Sequence, residues 1–117
     1  MGGIAAYRSG LAAEDSVARR YQQAGHEVAA RRWRSPAGEI DLILRKDGNV
    51  IFVEVKKSRS FEAAAQALST RQIARIYSSA ALFLEGEPDG QNSHARFDVA
   101  LVNGRGDVSI VENAICA

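Results

Sequence analysis

A single cysteine, Cys116, stands in this 117-residue chain. No intrachain disulfide can form, which fits a reducing, cytoplasmic setting. Long apolar runs are also missing. None approaches the roughly 20 residues needed to cross a bilayer, so no membrane span is expected. The opening Met1-Gly2-Gly3-Ile4-Ala5-Ala6-Tyr7-Arg8 has no basic stretch followed by an apolar run, so a secretory signal is not expected. Excess charge of one sign is scarce: 15 Lys and Arg face 14 Asp and Glu, for a net charge of +1. That balance argues against strong non-specific affinity for nucleic acid. The chain shows no repeat, low-complexity tract or linker. It also carries no sequence-reading helix or zinc module, so base-specific recognition is not expected.

What remains is the composition of one ordinary soluble domain over residues 1–117, with 46% hydrophobic and 25% charged residues. Such a length supports a real core without staples. The basic charge is unevenly spread. Residues 1–60 hold eleven Lys and Arg against seven Asp and Glu, while residues 61–117 hold four against seven. Twelve of the fifteen basic residues are arginine. Arginine suits bidentate phosphate contact, but a GC-rich genome also enriches it.

Periodicity predicts a helix over 9–25, with Leu11, Val17, Ala18, Tyr21 and Ala24 as its apolar stripe. Strands are predicted over 26–33, 39–45 and 50–56. A Pro-Gly turn separates the first two, and the Asp47-Gly48 hairpin signal separates the last two. Residues 57–68 read as a loop leading into a short helical stretch. Ser69 or Thr70 then caps a long helix with Ile73, Ile76, Tyr77, Ala80 and Leu84 facing inward. A polar loop over 85–93 precedes strands over 95–102 and 108–111. Helix, three strands, helix, two strands is the order of an α/β domain with a mixed sheet and helices packed on it.

Three acids break this pattern. Asp41 lies inside Ile40-Asp41-Leu42-Ile43-Leu44 and Glu54 inside Ile51-Phe52-Val53-Glu54-Val55, although strand interiors normally avoid carboxylates. Glu14 falls within the apolar stripe of the first helix, where a charge is costly unless paired or bound to metal. Side chains alternate across a strand, so Glu39, Asp41 and Ile43 share one face, and Phe52, Glu54 and Lys56 share another. If the hairpin register aligns them, Asp41 and Glu54 meet. Two such charges repel unless a cation lies between them. A hard divalent ion is the natural guest, with the Val55 carbonyl as a third oxygen. Lys56 would then point at the same site and hold a water or a phosphate oxygen.

An Asp followed after a short gap by Glu-x-Lys resembles the PD-(D/E)XK nuclease superfamily and its restriction-endonuclease-like αβββαβ core. Four segments narrow the likeness: Glu14, Gly38-Glu39-Ile40-Asp41-Leu42-Ile43, Phe52-Val53-Glu54-Val55-Lys56 and Arg96-Phe97-Asp98-Val99. In this order they resemble the YraN family of small bacterial proteins grouped with endonucleases, over nearly the whole chain. The resemblance implies metal-dependent hydrolysis of phosphodiester bonds in DNA, with RNA and structure-specific substrates left open. It implies Mg²⁺ or Mn²⁺ held by Asp41 and Glu54, Glu14 approaching the same ion, and Lys56 as the catalytic lysine. Three departures stand out. Ala13 replaces a usual Gly, Ile40 stands where the superfamily has Pro, and Gln72 falls near a position where relatives carry lysine. A homodimer is a further open possibility, since many relatives work as dimers.

Other readings stand beside these. Asp41 and Glu54 could face solvent with Lys56 as a cross-strand partner. Glu14 could pair with Arg96 or another buried arginine. Gln72, three residues after Ser69, could complete a capping box or touch substrate. Arg31, Arg32 and Arg34 around Trp33 could bind phosphates while Trp33 stacks on a base, or be a solvated face over a core tryptophan. Asp98 is expected to fix structure through hydrogen bonds, with a site role left open, and His26 and His94 to lie at the surface. Cys116 has no paired base nearby in sequence, so a nucleophilic role is not expected. The alternative function is a catalytically inactive module of the same fold that binds nucleic acid or protein. A purely structural domain in a larger assembly is a third.

Overall fold

The computed structural model describes residues 3–114, and the side chains among them other than those of residues 3–7 and 9. Cys116 lies outside the described residues. The elements are α1 (Gly3–Gln23), β1 (Glu27–Ser35), β2 (Gly38–Lys46), β3 (Asn49–Lys57), α2 (Phe61–Gln66), α3 (Thr70–Leu84), β4 (His94–Val102) and β5 (Val108–Val111), with a short 3₁₀ turn at Gly90–Asn92. The five strands form one sheet in the order β1-β2-β3-β4-β5. β3 and β4 run parallel, and the other neighbours are antiparallel. A parallel pair needs a crossover, and α2 and α3 supply it.

Each face of the sheet buries a helix. On one side Ala13, Val17, Ala18 and Tyr21 of α1 pack with Leu42, Leu44, Ile51, Val53, Ala100 and Val102. On the other, Ala80 and Leu84 of α3 pack with Ile43, Val50 and Phe52, edged by Trp33, Phe83 and Phe97. Ala64 of α2 and Ile76 of α3 close over Val99 and Leu101. The hydrophobic residues of β2 and β3 thus divide by parity between two cores. Ile40 is the exception. It joins the α3-side cluster with Ile43, so strict alternation fails between it and Leu42.

The helix ends follow their chemistry. α1 stops in a Schellman motif: the His26 N–H reaches the Tyr21 carbonyl and the Gly25 N–H reaches that of Gln22, both at 3.0 Å. Gly25 takes φ +92°, which its missing Cβ allows. At the start of α3, Ser69 Oγ accepts the Gln72 N–H at 3.1 Å, and Gln72 Oε1 accepts the Ser69 N–H at 3.2 Å. That is the reciprocal capping box the sequence predicts. Ser69→Ala is expected to lower stability by about 1 kcal/mol, seen as a lower urea midpoint at unchanged m-value.

Two sequence expectations need correction. α1 begins at Gly3 rather than residue 9, because Ile4-Ala5-Ala6 are compatible with helix. His26 is half-buried rather than surface, edge-on to Tyr21 with ring centroids 5.1 Å apart, and its Nδ1 lies 3.0 Å from the Tyr21 carbonyl. His94 is exposed, as expected. Asp98 fixes structure, as expected: it is fully buried and accepts hydrogen bonds from Tyr21, Arg96 and the Asn113 N–H.

Candidate active site

The β2–β3 hairpin turns on Asp47 and Gly48, with φ of +52° and +81°. Two successive left-handed residues make the tight turn that matches strand twist. This sets the register Leu42↔Val53, Ile43↔Phe52, Leu44↔Ile51. One step further along that register brings Asp41 and Glu54 opposite each other. Both line one cleft. The convergence that parity predicted is therefore present.

At this point the two strands part. The Val55 N–H donates to Asp41 Oδ2 at 2.8 Å. In an antiparallel pair a residue's N–H and C=O point to the same side, so the Val55 carbonyl faces the same gap. Lys56 shares the parity of Glu54, and its Nζ lies 4.0 Å from Glu54 Oε1. Burial is the main reason that the Glu54 carboxyl is pushed up to about 9. The hydrogen bond and charge of Asp41 raise it further, Lys56 opposes the rise, and Glu14 adds to it. The pair thus retains a proton at neutral pH, in a place where a cation could take that proton's role.

Asp41 and Glu54 form one wall of a cleft of about 210 Å³, lined also by Gly38, Glu39, Gln72, Arg75 and Ile76. Gln72, Arg75 and Ile76 stand at helical spacing on α3, so one helix face closes the cleft. The Ser35–Gly38 turn docks on that helix: Ser35 Oγ donates to the Gly38 carbonyl at 3.1 Å and lies 3.2 Å from Ser79 Oγ. Gly38 has φ +149°, and a Cβ there would stand 3.4 Å from Ser79 Oγ. A larger cleft of about 510 Å³ lies around the β2–β3 turn, beside Asp47 and Gly48, away from the carboxylate pair.

The remaining candidates are distributed as follows. Glu14 is buried, 6% exposed, and meets Arg32 rather than Arg96: Arg32 Nε and Nη2 donate to its two oxygens at 2.8 and 3.2 Å. Arg31 pairs with Asp15, and this hydrogen bond holds the Asp15 carboxyl below its ordinary range. Arg34 pairs with Glu39 at 3.1 Å. Trp33 is half-buried, edge-on to Phe83. Gln72 caps α3 and lines the cleft at once. Among the described residues, no three His, Cys, Asp or Glu side chains gather as a metal-binding group; of the acids that line the cleft, Glu39 is engaged by Arg34, which leaves Asp41 and Glu54, and Glu14 is engaged by Arg32. Sequence reading missed Arg75, which is exposed and lines the cleft. Its spacing of three residues from Gln72 was the available signal.

No helix among the described residues is long and apolar enough to cross a membrane. Residues 13–102 match the family described as "Uncharacterised protein family UPF0102". A UPF0102 protein of Cereibacter sphaeroides is 56% identical over 117 residues, the full length of both chains. One from Ruegeria pomeroyi is 55% identical over 106 residues, covering 91% of this chain and 86% of the relative. One from Dinoroseobacter shibae is 43% identical over 111 residues, covering 95% and 83%. The matched stretch takes in Glu14, Asp41, Glu54, Lys56 and Asp98, and the chain belongs to the UPF0102 (YraN) family.

Proposed function

We propose that this protein is a metal-dependent nuclease of the restriction-endonuclease-like type, hydrolysing phosphodiester bonds in DNA. The observation that carries the reading is that Asp41 and Glu54, from adjoining strands, line one cleft, with Lys56 Nζ 4.0 Å from Glu54 Oε1. The donors fit a hard divalent ion: two carboxylates and the Val55 carbonyl supply oxygen, and water completes the shell, as Mg²⁺ or Mn²⁺ requires. When bound, such an ion supplies positive charge to the scissile phosphate and acidifies a nearby water.

The chain's own residues do the rest. Lys56, held beside Glu54, donates hydrogen bonds to the attacking water and orients it. Arg75 and Gln72 hold a phosphate oxygen from the opposite wall, so the scissile group stays in the cleft between the α3 face and the carboxylates. Nothing here reads base edges, so selectivity would come from the shape of the DNA. One domain spans few base pairs, and a homodimer would lengthen that contact.

The test is a cleavage screen over duplex, nicked, branched and single-stranded DNA, and RNA, in Mg²⁺ and Mn²⁺. Asp41→Ala and Lys56→Ala should each cut at least about a hundredfold more slowly, with unchanged circular dichroism. Absence of cleavage by the wild type on every substrate, or equal cleavage by either variant, would overturn the reading. The near-neutral charge, with Arg31, Arg32 and Arg34 each engaged by an acid, favours a second reading. In it the domain is an inactive module that binds nucleic acid or protein. A module has no need of a divalent ion between Asp41 and Glu54, so calorimetric titration with Mg²⁺ and Mn²⁺ separates the two.

A further inference from the structure

The arginines of this protein differ in what they meet. Arg31, Arg32, Arg34, Arg45 and Arg96 each pair with a carboxylate. Arg71 and Arg75 of α3 do not. Both are exposed, and among the described residues no acid, hydroxyl or carbonyl engages either head group. Four residues apart, they lie on one face of the helix, with about 6 Å of rise between them.

Arg75 belongs to the cleft, which it lines together with Asp41 and Glu54. A Cβ at Gly38 would stand 3.5 Å from Arg75 Cβ and 3.7 Å from its Cδ. The aliphatic stem therefore lies along the bare Gly38 backbone, which leaves the charged head to the cleft. Arg71 adjoins Gln72, another lining residue, and stands one turn nearer the helix N-terminus. Helix stability does not account for it. A cation in the first turn faces the positive end of the helix dipole, where an acid is favoured, and the first turn of α3 holds no acid. Ile73, Ile76 and Ala80 supply the inward packing of this helix, so neither arginine serves the core.

We infer that Arg71 and Arg75 form a track for one strand of nucleic acid, with Arg75 on the phosphate in the cleft and Arg71 on the next phosphate of the same strand. The guanidinium fork takes two oxygens of one phosphate, and two long side chains one turn apart can follow successive phosphates. The strand then runs along the axis of α3 and leaves past the capping box. Such a track holds the backbone and carries no base preference. The inference rests on the reading of this cleft as the place where a phosphodiester lies.

Binding tests this apart from cleavage. Fluorescence anisotropy of a labelled DNA duplex, and of its separated strand, is read over a salt series in Ca²⁺ and again in chelator. Arg71→Ala should weaken binding about fivefold and reduce the slope of log affinity against log salt by about 0.9 on duplex or 0.7 on single strand. Arg75→Ala should do the same, and the double variant should lose both contributions. Arg71→Lys keeps the charge, so it should retain most of the slope. Arg19→Ala removes an equal charge from exposed α1, across the sheet, and should leave the slope unchanged. The Tm of Arg71→Ala without DNA should match or slightly exceed that of wild type. If wild type binds, a wild-type slope in Arg71→Ala, or the same loss in Arg19→Ala, overturns this inference alone. No binding by wild type in either condition overturns it together with the nucleic-acid reading. Binding with the expected slopes but no cleavage in any metal leaves the track standing and removes only the nuclease reading.

Discussion

Asp98→Ala is expected to cost about 3–5 kcal/mol of folding stability. Asp98 is fully buried in β4, between Phe97 and Val99. Its Oδ2 accepts the Tyr21 hydroxyl at 2.7 Å and Arg96 Nη2 at 3.0 Å. Its Oδ1 accepts Arg96 Nε and the Asn113 N–H, both at 2.9 Å. Four donors from α1, β4 and the segment after β5 meet on one carboxylate. Removing it strands a buried phenol, a guanidinium and a backbone amide at once. The buried Tyr21 hydroxyl carries its full desolvation penalty, which exceeds the net worth of the bond it lost, while the part-exposed Arg96 and the exposed Asn113 regain water in part. Asp98→Asn retains shape and two acceptor lone pairs but presents an NH₂ to donors, so it should fall between alanine and wild type. Urea unfolding measures all three. Glu112, 3.7 Å from Arg96 and exposed, offers only a screened substitute. A loss under about 1 kcal/mol for Asp98→Ala would mean that the network does not hold α1 to the sheet.

The same carboxylate illustrates what the chain discloses before folding. Asp98 beside Phe97 reads as a buried structural acid, because a charge within a continuous apolar strand must find donors. Its donors cannot be read, since Tyr21 is 77 positions away and Asn113 lies beyond β5. The convergence of Asp41 and Glu54 is legible for a local reason. One hairpin with an Asp-Gly turn sets register and parity together. The Ser69–Gln72 capping box is legible on the same grounds, as both partners lie within one turn. Glu14 marks the limit. Its place on the apolar stripe announces a partner but does not name it, and that partner, Arg32, sits at φ +49° in β1. An arginine gives no hint of positive φ, where an asparagine or a glycine would. The break in alternation at Ile40 is hidden likewise, because it lies opposite that irregular stretch of β1. Arg75 escaped notice because no apolar period marks an exposed position. It gains meaning only once α3 is laid across the mouth of the cleft.

Replacing Glu54 by glutamine is expected to flatten the pH dependence of stability that the cleft imposes. In the metal-free protein the Glu54 carboxyl titrates near 9, against an ordinary value of 4.5, chiefly through burial and then through Asp41. The folded state therefore binds a proton that the unfolded chain releases between those values. Stability from this group is full below about 4.5 and is lost as pH rises through about 9. Wild type without metal should thus weaken steadily from pH 5 to pH 9. Glutamine is nearly isosteric, keeps a hydrogen bond to Asp41 and carries no charge to desolvate. Its Tm should stay flatter over this range and exceed that of wild type at pH 9. After allowing for water at the rim of the cleft, the difference should be on the order of 1–2 kcal/mol, or roughly 5–10 °C. A divalent ion should stabilise only one of the two proteins. In wild type it displaces the proton, so Mn²⁺ should raise Tm most at high pH and release protons on binding. In Glu54→Gln one carboxylate is gone and the Mn²⁺ shift should disappear. Thermal melts at pH 5, 7 and 9, in chelator and in Mn²⁺, give every comparison. Parallel curves for the two proteins in chelator would show that Asp41 and Glu54 share no proton. The cleft would then have no vacancy of charge for a cation to fill.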